Sequence, residues 1–194
     1  MRFDYGGVNR WCPDNKHRRG RFIASFDGPL FEKGTMVNFA TDSLFIDNDL
    51  AEVIMDSEFL GPDNAGKHQL TFHVSKGLIM LDDTVNVVTL EFQPDYLLTW
   101  EEGQQTMENH GDDMFLVTGS SRGMNRDNTE FEVVIQDPLI NYLDCFWIVS
   151  GTHQISVLSA EVSQGTIDYI SVDDCFYQVD FYFGDSQFYD YLKY

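Results

Sequence analysis

The stretch that decides the fold reads Glu130-Phe131-Glu132-Val133-Val134-Ile135-Gln136. Phe131, Val133 and Ile135 occupy alternate positions, and the charged and amide residues fall in the other set. Successive side chains of a β-strand point to opposite faces of the sheet. The alternation therefore predicts a strand with one buried apolar face and one solvated polar face.

The same alternation recurs along the whole chain. Further examples lie at residues 21–26, 68–74 and 176–181. Turn signals such as Asp27-Gly28-Pro29 and Arg126-Asp127-Asn128 separate these runs and leave about a dozen candidate strands. We therefore predict an all-β fold, mostly antiparallel, built as a β-sandwich or a strongly curved sheet. An up-and-down β-barrel is the alternative.

Helical periodicity is almost absent. The best helical candidate covers residues 137–143, with Asp137 as N-cap and Pro138 in the first turn. We expect one or two helical turns there at most.

The organisation of the chain favours a single domain over residues 1–194. No Gly/Ser/Pro-rich linker divides it, and the acidic loop at residues 101–113 is the only plausible seam. A faint repeat relates Arg2-Phe3-Asp4-Tyr5, followed by Cys12, to Thr166-Ile167-Asp168-Tyr169, followed by Cys175. The repeat suggests that the chain begins at the end of one unit and continues through a second.

The charge and the apolar runs exclude several classes of partner. The formal net charge is −20, from 32 acidic and 12 basic residues. Such a charge repels the phosphates of nucleic acids and the surfaces of anionic membranes. No apolar run approaches the ~20 residues that a transmembrane helix needs. We predict no nucleic-acid partner and no transmembrane segment, and we attribute the acidity mainly to solubility.

No catalytic or metal-binding motif stands out. Ser150 precedes Gly151 without the Gly-x-Ser-x-Gly pattern of a nucleophile elbow. His68 and His73 lie an odd number of positions apart, so one straight strand turns them to opposite faces. Acidic pairs such as Asp82-Asp83 fit turns better than a calcium loop. We predict no catalytic residue, no metal site and no cofactor.

The tryptophans are the best candidates for ligand contact. Trp147 stands between Phe146 and Ile148 in a dense apolar run, which favours a place in the core. Trp100 adjoins the acidic loop, and we expect its ring to be exposed and able to stack on a sugar.

A set of short motifs follows one another along the chain. In its first part they are Asp4-Tyr5-Gly6, Cys12, Arg18-Arg19-Gly20 and Gly34-Thr35. Further on they are Trp100-Glu101-Glu102-Gly103, Thr118-Gly119-Ser120-Ser121-Arg122-Gly123-Met124-Asn125-Arg126, Cys145-Phe146-Trp147-Ile148-Val149-Ser150-Gly151 and Thr166-Ile167-Asp168-Tyr169. In this order the motifs resemble those of a family of secreted Bacteroidetes lipoproteins with a β-rich repeat module, and the resemblance covers nearly the whole chain.

The resemblance implies an extracytoplasmic protein, in the periplasm or on the outer-membrane surface, held by a lipid anchor. Neither a signal peptide nor a lipid-bearing cysteine is visible near Met1, so we expect a trimmed chain. In such an oxidising compartment we predict that Cys145 and Cys175, which both lie in strand-rich C-terminal sequence, form a disulfide and that Cys12 stays free. Three reduced, buried thiols are the alternative.

Three hypotheses for function follow. The first is a non-enzymatic envelope or surface domain that binds a partner or acts as a structural spacer. Its partners would be envelope components or glycans. The second is a carbohydrate-binding module that uses exposed aromatic residues such as Trp100. The third is a small hydrolase.

Overall fold

The structure is a computed structural model that describes residues 1–13, 15–82, 87–106, 108–145, 148–158, 164–173 and 176–192. These residues form twelve strands and one short 3₁₀ helix, His110–Asp112. The strands are β1 (Arg2–Trp11), β2 (His17–Phe26), β3 (Met36–Ile46), β4 (Asp49–Pro62), β5 (His68–Asp82), β6 (Val87–Glu102), β7 (Met114–Met124), β8 (Glu130–Tyr142), β9 (Ser150–Val157), β10 (Gln164–Asp173), β11 (Phe176–Phe183) and β12 (Ser186–Leu192).

All twelve strands belong to one antiparallel sheet whose spatial order is the order of the chain, from β1 to β12. The prediction of an all-β antiparallel fold is confirmed. The strands form a single sheet, not the two facing sheets of a sandwich. Among the described residues β1 and β12 are not paired with each other, so the sheet is open and the barrel alternative is not realised.

The two faces of the sheet differ in chemistry, as the alternation predicts. One row of paired residues crosses β4 to β8 with apolar side chains only: Phe59, Leu70, Leu98, Val117 and Leu139. We call the face that carries this row the inner face, and it contains the buried strand residues Ala24, Val37 and Val179 as well.

A second row, on the opposite face, is entirely polar. It crosses β6 to β10 and consists of Gln93, Arg122, Glu132, Ser156 and Gln164. We call this the outer face.

The sheet is strongly curved towards its inner face. Tyr96 on β6 and Tyr169 on β10 both point inward. Burial raises the pKa of Tyr169, and the negative charge of the Tyr96 phenolate adds to that rise. In a flat sheet, strands four apart are separated by roughly 19 Å. Curvature brings the two side chains within electrostatic range of each other.

The surface area shows that this fold remains open. The chain exposes 11998 Å², whereas a compact monomer of its mass, 22.3 kDa, exposes roughly 9,400 Å². The extensive contacts run between consecutive strands. A single curved sheet has no second layer to cover it, which accounts for the larger area.

The structure corrects the expectation for residues 137–143 and places the loop at residues 101–113. Residues 137–142 belong to strand β8, so the helix expected at residues 137–143 is wrong. Pro138 lacks an N–H group and lies where the ladders to β7 and β9 both shift register, which is where a strand tolerates proline. The acidic loop at residues 101–113 joins β6 to β7, two adjacent strands of the same sheet.

Candidate functional site

The outer face carries a cleft over the first three strands. Its volume is about 380 Å³, and we call it the β1–β3 cleft; it is lined by Asp4, Gly6, Gly7, Arg19, Gly20, Arg21, Asp42, Ser43 and Phe45. Two arginines, two aspartates and one aromatic ring thus meet at one end of the sheet.

A ladder of opposite charges crosses the cleft. Arg21 lies between two carboxylates: its Nη1 donates to Asp42 Oδ2 over 2.8 Å and its Nε donates to Asp4 Oδ2 over 3.3 Å. The backbone N–H of Gly6 also donates to Asp4, and this bond, together with Arg2, lowers the pKa of Asp4. The hydrogen bond to Asp42 raises the pKa of Arg21. Both groups are therefore held in their charged forms.

Arg19 is held flat beside this ladder. Its Nη1 donates to Asn9 Oδ1 over 2.9 Å and to Asn48 Oδ1 over 3.3 Å. Its guanidinium carbon lies 3.7 Å from the centre of the Phe45 ring, a cation–π contact. The side of the guanidinium plane that faces away from Phe45 is therefore held in a fixed orientation.

Backbone irregularity creates the floor of the cleft. The ladder between β2 and β3 shifts register between Arg19 and Arg21. Gly20 has φ +92°, and a Cβ atom built there would lie 1.9 Å from the carbonyl oxygen of Ser43. Only glycine permits this close approach of the two backbones.

Trp11 is the exposed tryptophan next to the cleft. Trp11 is 63% exposed. Its ring makes an edge contact with the ring of His17, with 4.7 Å between ring centres. His17 and Arg19 lie two positions apart on β2 and share a face. Trp11 therefore belongs to the same outer surface as Arg19.

Trp100 lies elsewhere, and the expectation that it is exposed is wrong. It is 9% exposed and lies on the inner face, stacked on Phe115 and close to Phe31, with both ring-centre distances at 5.8 Å. Phe31 comes from the loop between β2 and β3 and covers the indole. The alternation of Tyr96, Leu98 and Trp100 was the available sequence signal for this burial.

The inner face carries a small polar cluster. Nδ1 of His153 lies 3.1 Å from the hydroxyl of Tyr169, and Nε2 of His153 is buried with no hydrogen-bond partner among the described residues. Burial lowers the pKa of His153, and burial raises the pKa of Tyr96. The low-dielectric interior thus favours the neutral form of each ring.

Two carboxylates face each other on the outer side of β10 and β11. Asp168 is paired with Asp180 and accepts a hydrogen bond from Thr152 Oγ1 over 2.7 Å. Asp180 is 5% exposed and accepts from Gln178, Tyr182 and Gln187 over 2.5, 3.2 and 3.4 Å. Because several donors occupy these oxygens, the pair is better suited to holding the sheet than to chemistry.

A second depression of about 430 Å³ lies over β6 to β8. Its charged lining consists of Glu91, Arg122, Glu130 and Glu132. Three carboxylates against one guanidinium repel anions, and no charge ladder like that of the β1–β3 cleft crosses it.

Two of the three cysteines, Cys12 and Cys145, lie among the described residues. Cys12 is free and partly exposed. Cys145 is buried and disulfide-bonded. Cys175 and Trp147 lie outside the described residues, so the pairing of Cys145 with Cys175 stays a prediction.

The described ranges hold neither a metal-binding cluster nor a membrane-spanning helix. They contain no group of three or more His, Cys, Asp or Glu side chains placed to hold a metal ion. No helix in them has the length and apolar character needed to cross a membrane.

Sequence reasoning missed the β1–β3 cleft, although one signal pointed to it. Six of the 12 Lys and Arg residues lie within residues 1–21. Comparison with protein-family models, with curated protein sequences and with solved structures gives no match.

Proposed function

We propose that this chain is a non-enzymatic domain of the cell envelope or cell surface that binds a polar partner through the β1–β3 cleft. The observation that carries the proposal is the ladder of Asp4, Arg21 and Asp42, whose charges are fixed by mutual hydrogen bonds. A prearranged set of donors and acceptors loses little freedom when it binds.

The titration of the cleft supports binding over acid–base catalysis. A general acid or base works best with a pKa near the operating pH. In the cleft the pKa of Asp4 is lowered and that of Arg21 is raised, so both move away from neutrality. Fixed charges recognise a ligand but transfer no proton to it.

A carbohydrate is the second candidate ligand, now through Trp11 and Phe45 in place of Trp100. Sugar hydroxyls pair with planar carboxylate, guanidinium and amide groups, and sugar rings stack on aromatic faces. Residues 1–21 carry six basic and two acidic residues, a local net charge of +4. This charge favours an acidic polysaccharide over a neutral one.

The envelope location is supported by the motif resemblance to secreted lipoproteins. Separation of envelope and cytoplasmic fractions of the native cells, followed by detection with an antibody, tests it. Recovery in the cytoplasmic fraction would contradict the location while leaving the cleft unaffected.

Binding of immobilised polygalacturonate, with dextran as the neutral comparison, tests the ligand class. We expect retention on polygalacturonate that falls at least about tenfold in Arg21→Gln and in Trp11→Ala, since each removes a direct contact. Arg122→Gln, on the outer face of β7, is the matched control and should bind as the parent does. An equal loss of binding in Arg122→Gln would show non-specific charge attraction. Turnover of a substrate that a single substitution abolishes would overturn the non-enzymatic proposal.

A further inference from the structure

The two ends of the sheet differ in charge. Residues 1–21, which comprise β1 and the first half of β2, have a net charge of +4. Residues 164–192, which include β10 to β12, contain six Asp and no Lys or Arg, a net charge of −6. One end of the sheet is therefore basic and the opposite end acidic.

The backbone of β12 is a regular, unprotected edge. Its seven residues pair with β11 without a register shift, and it contains neither Pro nor Lys. The two-residue turn at Gly184 and Asp185 makes Phe183 and Ser186 a hydrogen-bonded pair. Since hydrogen-bonded and non-hydrogen-bonded pairs alternate, the N–H and C=O groups of residues 187, 189 and 191 point away from the sheet.

The start of β1 offers a matching edge. Met1 and Ala24 exchange two backbone hydrogen bonds, of 2.5 and 2.9 Å. The same alternation then turns the N–H and C=O groups of Arg2 and Asp4 outward, before a bulge at Gly6 interrupts the strand. The bulge confines regular pairing to this first part of β1.

Exposed apolar side chains accompany both edges. Phe3, Val8 and Trp11 on β1 are 49%, 71% and 63% exposed, and Phe188 on β12 is 61% exposed. Natural sheets usually blunt such edges with charges, proline or bulges. Strand β12 has neither proline nor a bulge, and β1 has a bulge only from Gly6 onward, so each edge keeps a regular stretch that can accept another strand.

We infer that a second copy of this chain docks head to tail, with β12 of one copy adding to β1 of the next. The sheet has an even number of strands, so β12 and β1 run in opposite directions and their junction continues the antiparallel alternation. The acidic edge of one copy then meets the basic edge of the other. Such an interface uses a different edge on each copy and produces a series of oligomers instead of one closed dimer.

Sedimentation velocity over about a hundredfold range of concentration tests the inference through mass action. We expect a concentration-dependent series of oligomers that weakens with added salt, because salt screens opposite charges. A single dimer that strengthens with salt would indicate pairing of two acidic β12 edges and would overturn the proposal. A monomer at every concentration would overturn it as well.

Proline variants test the edges directly. Arg2→Pro and Tyr189→Pro each remove one outward N–H and no backbone hydrogen bond of the sheet, so each should weaken self-association at least about tenfold. An equimolar mixture of the two should form a 1:1 heterodimer, since one variant keeps β12 intact and the other keeps β1. Failure of the mixture to associate, with both variants folded by circular dichroism, would overturn the head-to-tail arrangement.

Three further variants keep the test decisive if a proline variant does not fold. Arg2→Ala and Tyr189→Ala retain the N–H groups and should associate far more strongly than their proline counterparts. Asp185→Lys reduces the acidity of the β12 edge and leaves the strand backbone unchanged, so it should weaken association at low salt; unaltered association there would contradict the charge argument. Tyr189→Pro should still bind polygalacturonate, which separates this interface from the proposed ligand cleft.

Discussion

Nε1 of Trp100 donates a hydrogen bond to Oδ1 of Asp113 over 3.1 Å, and both side chains are buried. The bond joins the inner face of β6 to the residue just before β7. The last residue of the acidic loop between those strands is therefore buried against the inner face, although the sequence of the loop is mostly polar.

Trp100→Phe should destabilise the protein by about 1–3 kcal/mol, because it removes a donor from a buried carboxylate. Urea unfolding measures the change. Trp11→Phe is the control, since that ring is exposed, and its effect should stay within about 0.5 kcal/mol. Equal unfolding midpoints for Trp100→Phe and the parent would show that the bond contributes nothing.

Gly20→Ala should cost about 2 kcal/mol or more, because it combines a left-handed backbone with a clash against the Ser43 carbonyl. Gly7→Ala provides a control in the same cleft, where no atom lies within 4 Å of the added methyl group. Thermal unfolding should separate the two variants. Similar melting temperatures would refute the proposed close approach of β2 and β3.

The stabilisation by His153 should depend on pH. Burial lowers its pKa, so the unfolded chain takes up the proton more readily than the folded chain. The stability that its neutral ring contributes is complete above the ordinary pKa of about 6.5 and is lost as the pH falls below that value.

Parallel urea titrations of the parent and His153→Gln at several pH values measure this effect, because the other titrating groups cancel in the difference. We expect the stability difference between them to shrink between about pH 7.5 and about pH 5. A difference that stays constant or grows on acidification would contradict burial of the neutral ring.

Alkylation after oxidative refolding should modify one thiol, that of Cys12. Cys145→Ser should release a second reactive thiol and lower stability by about 2–4 kcal/mol through the lost cross-link. If Cys175 is the partner, Cys175→Ser gives the same thiol count and a similar loss. Three reactive thiols in the parent protein would exclude the disulfide.

The errors of sequence reasoning have a common physical origin. Asp137 and Pro138 satisfy the local rules for starting a helix, yet the ladders from β7 and β9 hold them in a strand. Arg21 and Asp42 belonged to no motif, and nothing in the sequence joined them to Arg19, because the residues that form the cleft come from three strands. Their local concentration of positive charge was visible, but their convergence was not.

Alternation along each strand determined which side chains share a face, because that geometry is local and needs only the period of the backbone. It predicted the β-fold and the separation of apolar and polar faces correctly. The tertiary structure alone decided that the strands form one open curved sheet, that Phe31 covers Trp100, and that Arg21 lies between Asp4 and Asp42. These relationships depend on register shifts and on contacts between residues far apart in the chain, which no local period encodes.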